Sequence, residues 1–142
     1  MAAASDDSTL AQALLELGCV LDGLRAAASR DIGLTPQQAQ LLTLVDARHV
    51  THSELAARMH CDKANITGLV DRLERRGLVQ RRTNPDDRRV SQVSLTDRGT
   101  DLVTTFKRAV RETVADHLSS WPAADRRRLG ALARAATEAL CE

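Results

Sequence analysis

The chain has 142 residues, 43% hydrophobic and 27% charged, with a formal net charge of +1. That length suits one domain with its own core, while three cysteines, Cys19, Cys61 and Cys141, exclude a disulfide-stapled secreted fold. The acidic start MAAASDDSTL lacks the basic and apolar regions of a signal peptide, and no apolar run reaches membrane-spanning length, so the expectation is a soluble cytoplasmic protein with no membrane partner.

One Phe, one Trp and no Tyr leave Leu, Val and Ala to build the core, a composition suited to helices packing on helices. The first predicted helix runs from Ser8 to Ala28. Leu10, Leu14, Leu17, Leu21 and Leu24 recur along it in steps of four and three, the seam of helices that lie side by side. The spacing alone fits a contact within the chain as well as one between subunits. After a break at Ile32-Gly33-Leu34, Thr35-Pro36-Gln37-Gln38 forms a helix start: Thr35 caps, Pro36 suits the first turn and Gln38 closes a capping box. Leu41, Leu42, Leu44 and Val45 give this second helix its apolar face.

Thr51-His52-Ser53-Glu54 repeats the capping logic for a short third helix that carries Leu55, Ala56 and Met59. His60-Cys61-Asp62 has room only for a turn. Asp62 caps a fourth helix whose apolar positions Ile66, Leu69, Val70 and Leu73 keep the 3.6-residue period, and Gly77 ends it. Strand-like runs follow at 78–83 and 90–95, separated by the turn Asn84-Pro85-Asp86-Asp87. Thr96 caps a long helix bearing Leu102, Val103, Phe106, Val110, Val114 and Leu118. Trp121-Pro122 breaks it, and a last helix carries Leu129, Leu132, Ala136 and Leu140.

The order of helix, tight turn, helix and hairpin over residues 53–98 is that of a winged helix-turn-helix, which sets one helix in the DNA major groove and a hairpin beside it. This segment holds ten Lys/Arg against seven Asp/Glu, a local +3, while the remainder sums to −2. Positive charge therefore gathers where phosphate attraction would require it. Outside its apolar stripe the fourth helix offers Lys63, Asn65, Thr67, Gly68, Arg72 and Arg75. Lys63 and Asn65 lie in the first turn, where Asn pairs with adenine and Lys with guanine. Arg72 and Arg75, further along, suit phosphate, unless Asp71 and Glu74 engage them. Arg88 and Arg89 on a narrow turn make a probe slim enough for the minor groove, with Asp87 expected to hold Arg89 in a fixed fork.

These features resemble the MarR family of bacterial transcription regulators. The resemblance rests on SELA at the bracing helix, GLVDRLERRGLVQR, LTPQQAQLLTLV and above all the wing NPDDRRVSQVSLTDRG. It implies a fold that is mainly α with a small β-hairpin wing: one domain over 1–142, with the winged helix-turn-helix at about 35–97 and dimerisation helices at about 8–30 and 98–141. It also implies a homodimer of intertwined terminal helices, which assigns the leucine seam to the subunit interface. The partner becomes double-stranded DNA with a pseudo-palindromic operator, read by Ser53, Lys63, Asn65, Thr67, Arg72, Arg75, Arg88 and Arg89 with Asp87 in support. The setting becomes the bacterial cytoplasm and nucleoid, and the role a repressor released by a small aromatic or lipophilic effector. Arg25, Arg30 and Arg48 are candidate partners for an anionic effector.

Two further readings remain open on the sequence. The resemblance to peroxide-sensing members points to Cys19 in the first helix, and Cys61 lies beside the recognition helix, where a helix N-terminus favours thiolate. A winged-helix module that binds protein instead of DNA is the other. His49, His52, His60 and Cys61 are too loosely spaced to predict a metal site. No cofactor is expected, and no nucleophile elbow, H-E-x-x-H or phosphate-cradling glycine loop points to an enzyme.

Overall fold

Helix α1 runs from Ala2 to Asp31 in the computed structural model, which describes residues 2–46 and 48–141. It begins well before the predicted Ser8. The leucine spacing carries no information there, but alanine is the best helix former. Its end is fixed by Gly33, whose φ of +71° is open to glycine without steric cost. The N–H of Leu34 then donates back to the Ser29 carbonyl at 2.9 Å.

Both predicted capping boxes form. At α2 (Pro36–Val45) the Thr35 hydroxyl accepts from the Gln38 N–H at 3.2 Å, and the Gln38 side chain accepts from the Thr35 N–H at 3.1 Å. At α3 (His52–Met59) Thr51 and Glu54 repeat the exchange at 3.1 and 2.9 Å. The turn between α3 and α4 (Lys63–Arg75) passes through His60, the only non-glycine residue with positive φ among those described, at 51°. Its N–H donates to carbonyls of the last turn of α3. Asp62 caps α4 by accepting from the Asn65 N–H at 2.7 Å, a type of contact whose removal costs about 1 kcal/mol. Gly77, at φ +71°, closes α4.

Strands β2 (Val79–Thr83) and β3 (Ser91–Leu95) pair antiparallel from Val79↔Leu95 to Thr83↔Ser91. A third strand not expected from sequence, β1 (Val50–Thr51), pairs with the other edge of β3 through Val50↔Val93, giving the order β1-β3-β2. Two residues are too few to show an alternating pattern. The core joins Leu41, Leu42 and Val45 of α2, Leu55 of α3, and the whole predicted stripe Ile66, Leu69, Val70 and Leu73 of α4. Val50, Val79 and Val93 complete it from the sheet. Full burial of each such side chain contributes about 1.5–3 kcal/mol.

Helix α5 (Asp97–His117) starts against the end of α4. The Thr96 hydroxyl donates to the Gly77 carbonyl at 2.6 Å and accepts from the Gly99 N–H at 3.1 Å. Val103 and Phe106 of α5 enter the core. The chain divides into two compact units, Met1–Val110 and Arg111–Glu142. The second holds α6 (Ala123–Leu140), which buries none of its residues. Among the described residues no helix is long and apolar enough to cross a membrane.

Candidate nucleic-acid interface

Burying Ile66, Leu69, Val70 and Leu73 fixes the rotation of α4 and turns its remaining residues outward. Lys63, Asn65, Thr67, Arg72 and Arg75 are all exposed, as is Ser53 at the start of α3. At 100° per residue, Asn65 and Arg72 fall on one flank of the outward face, and Lys63, Thr67 and Glu74 on the other. The Asn65 N–H is taken by Asp62, while its carboxamide makes no hydrogen bond among the described residues. That leaves both faces of the amide for a partner. Thr67 is less free: its hydroxyl donates to the Lys63 carbonyl at 2.9 Å, so it presents a methyl group and an acceptor.

Arg72 and Arg75 do not engage Asp71 and Glu74. Arg81 of β2 takes both carboxylates instead: its guanidinium pairs with Asp71 and lies 3.4 Å from Glu74, whose other oxygen accepts from the Arg81 N–H at 3.4 Å. Arg72 and Arg75 are left without an acidic partner among the described residues. The sequence reading missed Arg81. The available signal was the pair Arg81-Arg82, because adjacent strand residues face opposite ways and one of the two must turn toward the helices. Arg82, on the other face, lies with its Nη1 2.8 Å from His49 Nε2.

The wing tip is built from two side-chain turns. Asn84 Oδ1 accepts from the Asp86 N–H at 3.0 Å, and Asp87 Oδ1 accepts from the Arg89 N–H at 3.0 Å. The loop is closed by Asn84 N–H to the Val90 carbonyl at 2.9 Å and Val90 N–H to the Asp87 carbonyl at 3.0 Å. This corrects the expected fork between Asp87 and the Arg89 guanidinium. In a tight turn a carboxylate reaches the N–H two residues on far more readily than the end of that residue's long side chain. Asp87 shapes the backbone, and both Arg88 and Arg89 project into solvent.

Of the candidate effector residues, Arg25 lines a cavity. About 260 Å³ lies between α1, α2 and α5, bounded by Arg25, Pro36, Gln40, Thr43, Leu44 and Phe106. Arg30 and Arg48 are exposed elsewhere. Cys19 is exposed on α1, and Cys61 is half-buried against the core. His52 is partly buried; that burial, reinforced by Arg81, pushes its imidazole below the usual range, against a hydrogen bond to the Ser91 backbone and the charge of Asp71. Among the described residues no three His, Cys, Asp or Glu side chains gather as a metal site.

The MarR family model matches residues 34–91, from the end of the α1–α2 loop to the start of β3. The uncharacterized HTH-type transcriptional regulator YdgJ of Bacillus subtilis is 32% identical over 98 residues, 68% of this chain and 60% of its own length. The HTH-type transcriptional repressor MdtR of the same organism is 41% identical over 70 residues, 47% of this chain and 44% of its own. The chain thus spans less than two thirds of these relatives. Across nearly the full chain the fold matches RV1404 of Mycobacterium tuberculosis, with a TM-score of 0.81, 25% identity and coverage of 95% and 94%. With matched sequence in the helix-turn-helix and wing, and matched fold beyond them, the chain belongs to the MarR family.

Proposed function

We propose that the chain is a sequence-specific reader of double-stranded DNA that acts as a homodimeric repressor. One observation carries this reading: the outward face of α4, with Lys63, Asn65, Arg72 and Arg75 exposed, and a wing whose ordered tip exposes Arg88 and Arg89. A helix face that donates hydrogen bonds suits the major groove, and a slim arginine tip suits the minor groove. MdtR, named a transcriptional repressor, shares part of its sequence with this chain.

A second copy is expected over the terminal helices. Leu10, Leu14, Leu17 and Leu21 of α1 are 58%, 41%, 45% and 41% exposed, an apolar row at the spacing of side-by-side helices. Leu129, Leu132 and Leu140 of α6 are exposed too. Two-fold pairing calls for a pseudo-palindromic operator with half-sites about 34 Å apart or a multiple of that. Glutamate at Leu14 and Leu21 together should give a monomer by sedimentation, since neither side chain belongs to the chain's own core.

A small anionic or aromatic effector would occupy the cavity at Arg25, where apolar Leu44 and Phe106 meet a guanidinium and the polar Gln40 and Thr43. The thiol alternative rests on the exposure of Cys19. Normal peroxide release of DNA by the Cys19→Ser/Cys61→Ser double variant would remove it.

The deciding experiment is a salt titration of duplex binding. A protein neutralising Z phosphates loses affinity with a slope of about −0.9Z in log K against log salt. Selection from a random duplex pool should then enrich a two-fold sequence. Absence of salt-dependent binding would sink the DNA reading and leave a protein-interaction module in its place.

A further inference from the structure

The acidic residues of α4 are the feature that the DNA reading leaves unexplained. Asp71 and Glu74 sit on the outward part of the proposed reading helix, beside Lys63 and Thr67, where bare carboxylates would face phosphate. Arg81 answers both. It lies in the first wing strand, its guanidinium spans the two carboxylates, and its own N–H donates to Glu74. It pairs across β3 with Val93, which is fully buried, so the backbone that carries it is anchored in the core.

We infer that Arg81 is a positioning residue of the DNA reader, acting through Asp71 and Glu74 and not by touching DNA. This role rests on the DNA reading proposed above. The first effect is electrostatic. With both carboxylates turned to Arg81 and one of their two negative charges balanced, α4 presents Lys63, Arg72 and Arg75 against less opposing charge. The second is geometric. The recognition helix and the wing are separate elements that must meet two grooves at once. Arg81 fixes α4 to β2, the strand that leads to the wing tip, so that the two probes keep one relative setting. A fork that reaches two carboxylates suits arginine and not lysine, whose ammonium acts as a point charge. The pair is partly exposed, and each such contact alone is weak. Its influence comes from where it acts, between the two parts that must engage DNA together.

The test uses the full chain, the duplex selected from a random pool with the parent protein, and a scrambled duplex of equal length. Arg81→Ala is expected to weaken binding to the selected duplex about tenfold, the low end of one lost base contact, and to lower the ratio of selected to scrambled binding. The salt slope on the scrambled duplex should stay unchanged, because no phosphate contact is lost. Arg81→Lys should fall between. Asp71→Asn with Glu74→Gln should lower the same ratio while scrambled binding rises, because negative charge leaves the face. A thermal melt checks that each variant remains folded.

A salt slope lowered by about one unit with the ratio intact would make Arg81 a phosphate contact and overturn the proposal. No change in either quantity would reduce the cluster to an ordinary surface pair and overturn it as well. If the parent protein binds neither duplex, the DNA reading itself fails and this role with it. A parent that binds while the variants match it sinks the role of Arg81 alone.

Discussion

Gly99, in the first turn of α5, lies so close to the carbonyl of Leu78 that a Cβ built on it would stand 2.0 Å from that oxygen. The neighbouring atom is backbone, held by the Thr96 N–H at 3.1 Å and followed directly by β2, so it has little freedom to yield. The glycine in the Leu-Thr-x-x-Gly stretch is therefore required by packing. It lets α5 start directly against the α4–β2 connection.

Gly99→Ala is expected to destabilise the chain by about 3 kcal/mol, the upper range for overpacking, although alanine is the better helix former. Urea unfolding measures it. A loss below about 0.5 kcal/mol would mean that the α5 start moves aside freely.

At the wing, Arg89→Ala should weaken binding to the selected duplex and leave the sedimentation of the protein unchanged. Asp87 offers a finer discrimination. Asn carries the same acceptor and can form the same turn, so Asp87→Asn should bind nearly as the parent does, while Asp87→Ala should bind less well. If Asn proved as damaging as Ala, the carboxylate charge would matter more than the turn.

For Asn65, whose carboxamide is unengaged, replacement by Ala should relax base preference at one position per half-site by about 1–3 kcal/mol. A loss spread evenly over all sequences would make Asn65 a phosphate contact instead.

His52 supplies a pH prediction. Burial, reinforced by Arg81, lowers its folded pKa below the usual imidazole value of about 6.5. The unfolded chain then holds more protons than the folded one between the two values, so stability rises with pH across that window. The contribution is fully present above the unfolded value and is lost as pH falls through the folded one. His52→Gln should flatten this acid-side loss in urea titrations at pH 7.5 and pH 5. Equal losses in both proteins would show that other groups govern it.

What could be read from the sequence was local. Thr35/Gln38 and Thr51/Glu54 are capping partners three residues apart, and the α4 stripe repeats within one helix, so neighbouring letters suffice. Strand β1 escaped because two residues carry no pattern and its partner Val93 lies 43 positions away. Arg81 escaped for a related reason: its partners sit on another element, and only the folded register brings them together. Asp87 does engage Arg89, but through its backbone N–H and not its guanidinium, because a sequence names the acceptor and does not show which nearby donor lies within reach.

The wing tip also has a consequence for range. Asp86, Asp87, Arg88 and Arg89 sum to zero charge. Beyond about 10 Å, the screening length at 0.1 M salt, such a cluster exerts almost no pull. Long-range attraction falls to α4 and β2, where Lys63, Arg72, Arg75, Arg81 and Arg82 outweigh Asp71 and Glu74, while the wing tip acts only once close. On the proposed reading, capture speed and final fit are therefore separately adjustable: neutralising Arg72 and Arg75 should slow arrival at DNA, whereas changes at Arg89 should shorten the stay.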